Sequence, residues 1–399
     1  MTLFGFGKTT QAIAKKFPNA KFYDDNVHKP HTNKEGFHLN PSESFDPNYS
    51  NIEIPSPGIP PYHPLIQKAK NLVSEYDYFA KDMPFSVWIS GTNGKTTTTQ
   101  MMTFLLEDKG ALSGGNIGTP LAALDTKAAI WVLETSSYTL HYTHIASPGI
   151  YVLLPITPDH IKWHGSMEAY EEAKLQPLNT MQEGEIAIIP KRYANYPTAA
   201  SLVTYETAED IADYFNIDMD KVNFKGAFLM DALLAMAVDK ILFDRVDYDK
   251  VNNFVLDPHR QEKVLDTQGR IWINDSKATN IDATIELLKT YSQNDSIHII
   301  LGGDDKGVDL KQLFEHLQTY EKLKLYLIGK NSARLAQYAL EHKIPYVECE
   351  TLHKAVATID KQHNHGSVAM LSPAAASLDQ FNSYIDRGDQ FKENISKLS

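Results

Sequence analysis

Gly91-Thr92-Asn93-Gly94-Lys95-Thr96 places two glycines, a lysine and a threonine hydroxyl directly behind the apolar run Phe85 to Ser90. Met101, Met102, Leu105 and Leu106 follow at helical spacing, so the expected order is strand, tight loop, helix. In that order the glycines let backbone N–H groups turn inward around phosphate oxygens, and the helix N-terminus adds partial positive charge. Lys95 adds a full charge, and the Thr96 hydroxyl can reach magnesium. The cradle expected for a nucleoside triphosphate therefore includes Gly91, Thr92, Asn93, Gly94, Lys95, Thr96 and Thr97. The longer G-x-x-x-x-G-K-[ST] form is not met, because Ile89 stands five positions before Gly94. The alternative is a glycine turn that merely opens a helix.

Acidic and polar groups stand behind other apolar runs. Ala128 to Leu133 ends in Glu134, a carboxylate suited to the metal a triphosphate carries, or else a solvated strand end. Ile150 to Pro155 exits into Thr157-Pro158-Asp159-His160, with His164 four residues on. That spacing could read as a zinc pair, but no third ligand follows in order, so a hydrogen-bonding or magnesium-contacting His160 is the better reading. Asn274 to Asn280 and Gly302 to Gly307 are dense in small and polar residues behind apolar runs; each could also be a plain turn.

The elements that must position these groups follow from the pattern along the chain. Its 399 residues suit two or three domains, and 42% hydrophobic with 22% charged residues is ordinary globular composition, which excludes disorder, collagen and simple coiled coil. A net charge of −12 has the wrong sign for a nucleic-acid partner. Cys349 is a lone cysteine without CxxC, and no signal-peptide-like or membrane-spanning apolar stretch occurs, so a soluble, reducing, cytoplasmic setting without membrane insertion is expected. We read an α/β protein of three domains, 1–83, 84–258 and 259–399. The first has weakly marked strands at Leu3 to Phe6, Lys21 to Tyr23 and Asn51 to Ile54; the second has a parallel sheet with helices at Thr97 to Leu106 and Ser166 to Leu175. In the third, strands at Arg270 to Ile273, Ile297 to Leu301, Leu323 to Ile328, Tyr346 to Cys349 and Ser367 to Leu371 alternate with helices, the last from Asp379 to Phe391. Ligands in such sheets sit at the carboxyl ends of the strands.

Taken together these motifs resemble the ATP-dependent Mur ligases of peptidoglycan synthesis. Gly91 to Thr96, Gly115-Asn116-Ile117-Gly118-Thr119-Pro120, Glu134-Thr135-Ser136-Ser137-Tyr138, Thr157 to His160 and Glu171-Glu172-Ala173-Lys174 follow in the family's order. Pro258-His259-Arg260, Asn274 to Asn280, Leu301 to Lys306 and Leu371 to Phe381 resemble its D-glutamate-adding branch, as does Ser56-Pro57-Gly58-Ile59. The resemblance implies a Rossmann-like N-terminal domain, a central ATP-binding domain with a phosphate loop, and a Rossmann-like C-terminal domain that takes the amino acid. It implies a cytoplasmic enzyme that uses ATP and two Mg²⁺ ions to add D-glutamate to UDP-N-acetylmuramoyl-L-alanine through an acyl phosphate, and we expect a monomer.

For the residues, the resemblance implies Lys95, His160 and a carbamylated Lys174 in catalysis, with Thr96, Glu134, His160 and Lys174 on the metals. Arg260, Asp275 and Lys277 would contact ATP, with Asp304 beside it; Thr279, Lys306, Ser377, Leu378 and Tyr384 would surround D-glutamate. Asn116, Ser136 and His160 would meet the muramoyl-alanine part, and Lys8, Thr9, Asp25 and Gly58 the uridine diphosphate end. Two departures stand out. Where the family shows His-Asn-x-x-Asn this chain has Ala227 to Asp231, with Asp231 standing in at the nucleotide, and Ser-Ser-Phe-Gln-Leu becomes Ser136 to Leu140 with Tyr138 at the phenylalanine. Competing readings are a carboxylate-amine ligase with another amino acid, a folylpolyglutamate-synthase-like enzyme, and a nucleotide-binding regulator without chemistry.

Overall fold

The computed structural model describes residues 1–294 and 296–398. Those residues form three sheets. In the first, β1 (Thr2–Phe4), β2 (Lys21–Asp24), β3 (His31–Thr32), β4 (His38–Pro41) and β5 (Glu53–Pro55) stand in the order β3-β4-β2-β1-β5, parallel except at β3. In the second, β6 (Ser86–Ser90), β7 (Ala111–Gly115), β8 (Ile130–Glu134), β9 (Ile150–Leu153), β10 (Ile186–Pro190) and β11 (Ser201–Tyr205) stand in the order β11-β10-β9-β6-β8-β7, parallel throughout. In the third, β12 (Glu262–Leu265), β13 (Ile271–Asn274), β14 (Ser296–Leu301), β15 (Leu323–Ile328), β16 (Tyr346–Glu350) and β17 (Ser367–Leu371) stand in the order β12-β13-β17-β14-β15-β16.

By compactness the chain divides into two units. Residues 1–224 with 228–254 form one and residues 225–227 with 255–399 the other. The first two sheets lie in one unit because they share a core: Leu3, Ile13, Phe22 and Ile54 belong to the same apolar cluster as Trp88, Trp131, Tyr151 and Leu153. β6, β8 and β9 are buried on both faces, as parallel strands flanked by crossover helices must be. The helix Ala227–Phe243 is buried continuously from Asp231 to Asp239, which is why its apolar residues lack a one-sided stripe.

The second unit keeps the expected strand and helix alternation, with two corrections. β12 pairs antiparallel with β13 at the sheet's edge. The last helix spans Tyr384–Ser396 rather than starting at Asp379, because Gln380 and Phe381 N–H groups turn back to the Ser377 carbonyl and Ser383 caps the helix through Asp386 N. No helix among the described residues is long and apolar enough to cross a membrane.

In the core of the second unit His298 on β14 and His363 after the helix Leu352–Asp360 are buried imidazoles. Burial pushes each down to about 4, helped by Lys324 near His298 and by Arg270 near His363. Both are therefore neutral in the fold, while an unfolded histidine titrates near 6.5. Below that value the unfolded chain takes up protons that the fold refuses, so stability is expected to fall from pH 6.5 towards 4. Thermal melts of the full chain should show this slope, and His298→Gln should flatten it; an equally steep slope in the variant would exclude His298 as a source.

Candidate functional site

The phosphate loop leaves β6, which has β8 on one side and β9 on the other. Gly94 holds φ +84° at the N-terminus of the helix Lys95–Leu106, a left-handed turn that a side chain would strain. Lys95 Nζ bends back onto the carbonyls of Gly91 at 3.0 Å and Thr92 at 2.7 Å. The Thr92 hydroxyl stitches the loop to its surroundings: it donates to Thr157 O at 3.0 Å, accepts from Thr157 N at 2.9 Å and meets Tyr170 OH at 3.0 Å.

The exit of β8 delivers Glu134, 3% exposed, to the same place. Thr96 Oγ1 donates to its Oε2 at 2.8 Å and Asn116 Nδ2 to its Oε1 at 2.5 Å. A hydroxyl and a carboxylate beside a phosphate loop suit magnesium, which takes few protein oxygens and completes its shell with phosphates and water. Among the described residues no group of three or more His, Cys, Asp or Glu could hold a metal alone. Asp231 lies beneath the loop: it is buried, accepts from Thr98 Oγ1 at 2.9 Å and packs against Gly94. Thr97, the residue before Thr98, is buried as well.

Lys174 occupies the helix Met167–Thr180 and is only 1% exposed. Its Nζ donates to Gly91 O at 2.7 Å and sits 4.8 Å from the centre of the Tyr170 ring. Burial, reinforced by the Lys95 charge, holds this amine well below the ordinary lysine range. The expected pair Lys95 and Lys174 is thus brought to one carbonyl, that of Gly91.

His160 follows β9 and caps the turn Ile161–His164 with φ +54°, an uncommon conformation for a side-chain-bearing residue. Its Nδ1 lies 2.7 Å from Tyr138 OH and its Nε2 3.4 Å from Asp159 Oδ2. Ser136 caps the helix Ser137–His141 by accepting from Thr139 N at 3.1 Å. Nearby, Trp163 Nε1 donates to Gly58 O at 3.0 Å and Tyr142 OH to Ile59 O at 2.7 Å, fastening the loop after β5. In the first sheet Lys8 opens the helix Lys8–Lys16, followed by Thr9, and Asp25 meets His63 Nε2 at 2.9 Å. His63, Trp163 and Tyr170 were not singled out from sequence; the spacing of Tyr170 four residues before Lys174 was the available signal.

The second unit gathers its own candidates at the carboxyl ends of β13, β14 and β17. Asp275 is buried and accepts from Ser372 Oγ at 3.0 Å and Gln261 N at 3.2 Å; desolvation pushes it up to about 7. It thereby ties the strand exits to the segment carrying Arg260. Lys277 Nζ lies 4.1 Å from the centre of the Tyr384 ring, and Ser276 Oγ donates to Tyr384 O at 2.7 Å. Asp304 accepts from Lys306 N at 3.0 Å, its backbone pairs with Ala376, and its carboxylate faces Lys330 at 3.5 Å. Thr279, Lys306 and Leu378 are exposed while Ser377 is buried. His259, Lys306 and Ala374 all hold positive φ, so three of these loops carry non-glycine residues in the left-handed region.

This arrangement defines a nucleotide-using α/β ligase, and the chain belongs to the Mur ligase family: residues 89–230 match the Mur ligase middle domain and residues 259–375 the Mur ligase glutamate ligase domain. It is 52% identical, over all of both chains, to the UDP-N-acetylmuramoylalanine--D-glutamate ligase of Campylobacter jejuni strain 81-176. The ligase of the same name from Helicobacter pylori strain HPAG1 is 45% identical over 100% of this chain and 99% of its own. In fold the chain is similar to the MurF ligase of Thermotoga maritima solved in complex with ADP, with TM-score 0.60 and 15% identity over 98% of this chain and 93% of that one.

Proposed function

We propose that this protein is an ATP-dependent ligase that joins D-glutamate to UDP-N-acetylmuramoyl-L-alanine, in the cytoplasmic stage of peptidoglycan precursor synthesis. The observation that carries the reading is full-length similarity, at 52% identity, to a ligase of that name. The substrate carboxylate takes the γ-phosphoryl group of ATP to form an acyl phosphate; the D-glutamate amine then attacks the carbonyl carbon, and inorganic phosphate leaves.

Lys95 exchanges the carbonyls of Gly91 and Thr92 for phosphoryl oxygens, and backbone N–H groups of the loop hold the remainder. Thr96 and Glu134 would hold one magnesium together with the nucleotide; His160 and Lys174 would hold a second. Magnesium, when bound, offsets charge on the transferring group and on the carboxylate it meets. An unmodified ammonium at Lys174 would repel it. Burial holds the amine well below the usual lysine range, which favours the uncharged form that reacts with carbon dioxide, and the carbamate formed with loss of a proton would present anionic oxygen. Arg260, Asp275, Lys277 and Asp304 serve ATP in this scheme, with Asp231 bracing the phosphate loop from below. Thr279, Lys306, Ser377, Leu378 and Tyr384 receive D-glutamate. Lys8, Thr9, Asp25 and Gly58 serve the uridine diphosphate end, and Asn116 and Ser136 the muramoyl-alanine part.

The test is phosphate release from Mg²⁺ and ATP with UDP-N-acetylmuramoyl-L-alanine, comparing D-glutamate with L-glutamate, L-lysine and meso-diaminopimelate. Release with D-glutamate alone is expected; release only with another amino acid would move the substrate assignment, and none at all would favour a nucleotide-binding regulator. Lys306 is exposed, so its truncation costs the fold little, and its cation suits one of the two glutamate carboxylates. Lys306→Ala should raise the KM for D-glutamate by about tenfold, the worth of a charge-assisted bond, with the KM for ATP within about twofold. Initial-rate kinetics at varied glutamate decide it, and an unchanged glutamate dependence removes Lys306 from that role.

A further inference from the structure

We propose that Tyr138 is a positioning residue for His160, its hydroxyl holding the imidazole in one orientation through Nδ1 whichever ring nitrogen carries the proton. The hydroxyl lies 2.7 Å from Nδ1. It is itself held in place, because the Tyr138 ring packs 4.7 Å from the His160 ring, 4.7 Å from the Trp163 ring and 5.8 Å, stacked, from the His164 ring. Trp163 in turn is anchored to the Gly58 carbonyl, so the phenol stands on a braced aromatic cluster.

The main chain at His160 is already committed to the left-handed region, which leaves the side-chain torsions to set where Nε2 points. Tyr138 addresses the ring at Nδ1, and the Asp159 carboxylate lies 3.4 Å from Nε2. Asp159 can only accept, so it favours a proton on Nε2, and Tyr138 then donates to Nδ1. When Nε2 turns its lone pair to a cation the proton must sit on Nδ1, and the same phenol oxygen accepts it. A hydroxyl can play both parts, and the ring changes tautomer without turning. Phenylalanine would stack equally well but hold neither form. The partner of a ligating histidine's second nitrogen is commonly worth 10–100-fold in metal affinity, which sets the scale of the effect.

The role of His160 at the metal rests on the ligase reading; the hydrogen bond does not, and the experiment separates the two. Long-range ¹H–¹⁵N spectra of the full chain, labelled in histidine nitrogen and free of magnesium, report the tautomer directly. At a pH where the ring carries a single proton, wild type should show His160 as one tautomer, protonated on Nε2. Tyr138→Phe should bring its two nitrogen shifts together as the forms mix, while Tyr142→Phe, which removes a different hydroxyl from the same cluster, should leave them in place. In turnover, Tyr138→Phe should raise the magnesium concentration for half-maximal rate about tenfold, with the KM for ATP within about twofold. Unchanged His160 shifts in Tyr138→Phe would overturn the proposal whether or not the protein proves to be a ligase.

Discussion

Lys174→Ala should lower kcat by about a thousandfold or more, and millimolar formate or acetate should restore part of the loss. On the proposed function the size follows from removing what would be an anionic metal ligand from a site where charge on two reacting anions must be offset: several kcal/mol of such stabilisation, at 1.36 kcal/mol per decade, spans about three decades. Rescue follows from the geometry. The side chain is 1% exposed and ends at Gly91 O, so its deletion leaves a small cavity beside the phosphate loop that a carboxylate can enter. Phosphate release, with and without added carboxylate, measures both effects, and Lys174→Met controls for lost volume. Full activity in Lys174→Ala would remove the carbamate from the mechanism.

A comparable loss, about a thousandfold in kcat/KM for ATP, is expected for Lys95→Ala, since on the same reading its cation would meet the charge that develops on the phosphoryl group. A second consequence comes from its neighbour. The Lys95 charge, after burial, helps to lower the basicity of the Lys174 amine, so removing it makes Lys174 more basic and less able to take up carbon dioxide. The two substitutions should therefore be strongly non-additive, with the double variant losing far less than the product of the single losses. Independent, multiplying losses would show that the two lysines do not communicate. Lys95→Arg, which keeps the charge but is too bulky for the loop carbonyls, should recover the basicity effect without recovering turnover.

The parts of the fold that sequence revealed are those where one signal dominates. β15 and β17 match their apolar runs at both ends, because strands buried on both faces read as continuous hydrophobic segments. β7 was hidden by the two glycines that end it, and β12 by an edge position that leaves alternate residues exposed. Ile186–Pro190 carries as clear an apolar run as β9, so β10 was within reach. At the candidate site, the glycine loop and the strand-end carboxylate could be read because residue type and neighbours sufficed. Trp163 could not, since its importance depends on Gly58, distant in sequence, and Tyr170 offered only its spacing before Lys174 and nothing of its contact with Thr92.

Gly303 holds φ +147°, and a Cβ there would overlap the Ala376 carbonyl oxygen. The loops after β14 and β17 are laced main chain to main chain, Gly302 N to Pro373 O at 2.9 Å, Asp304 N to Ala376 O at 2.9 Å and Ala376 N to Asp304 O at 3.0 Å. Their shape is thus inherited from peptide groups, which mutation cannot alter, rather than from side chains, which it can. Side-chain changes around it therefore leave this platform standing, whereas a side chain at Gly303 itself has no room beside the Ala376 carbonyl; on the proposed function, a changed amino-acid preference would be expected at positions mounted on the platform, such as Lys306 and Ser377.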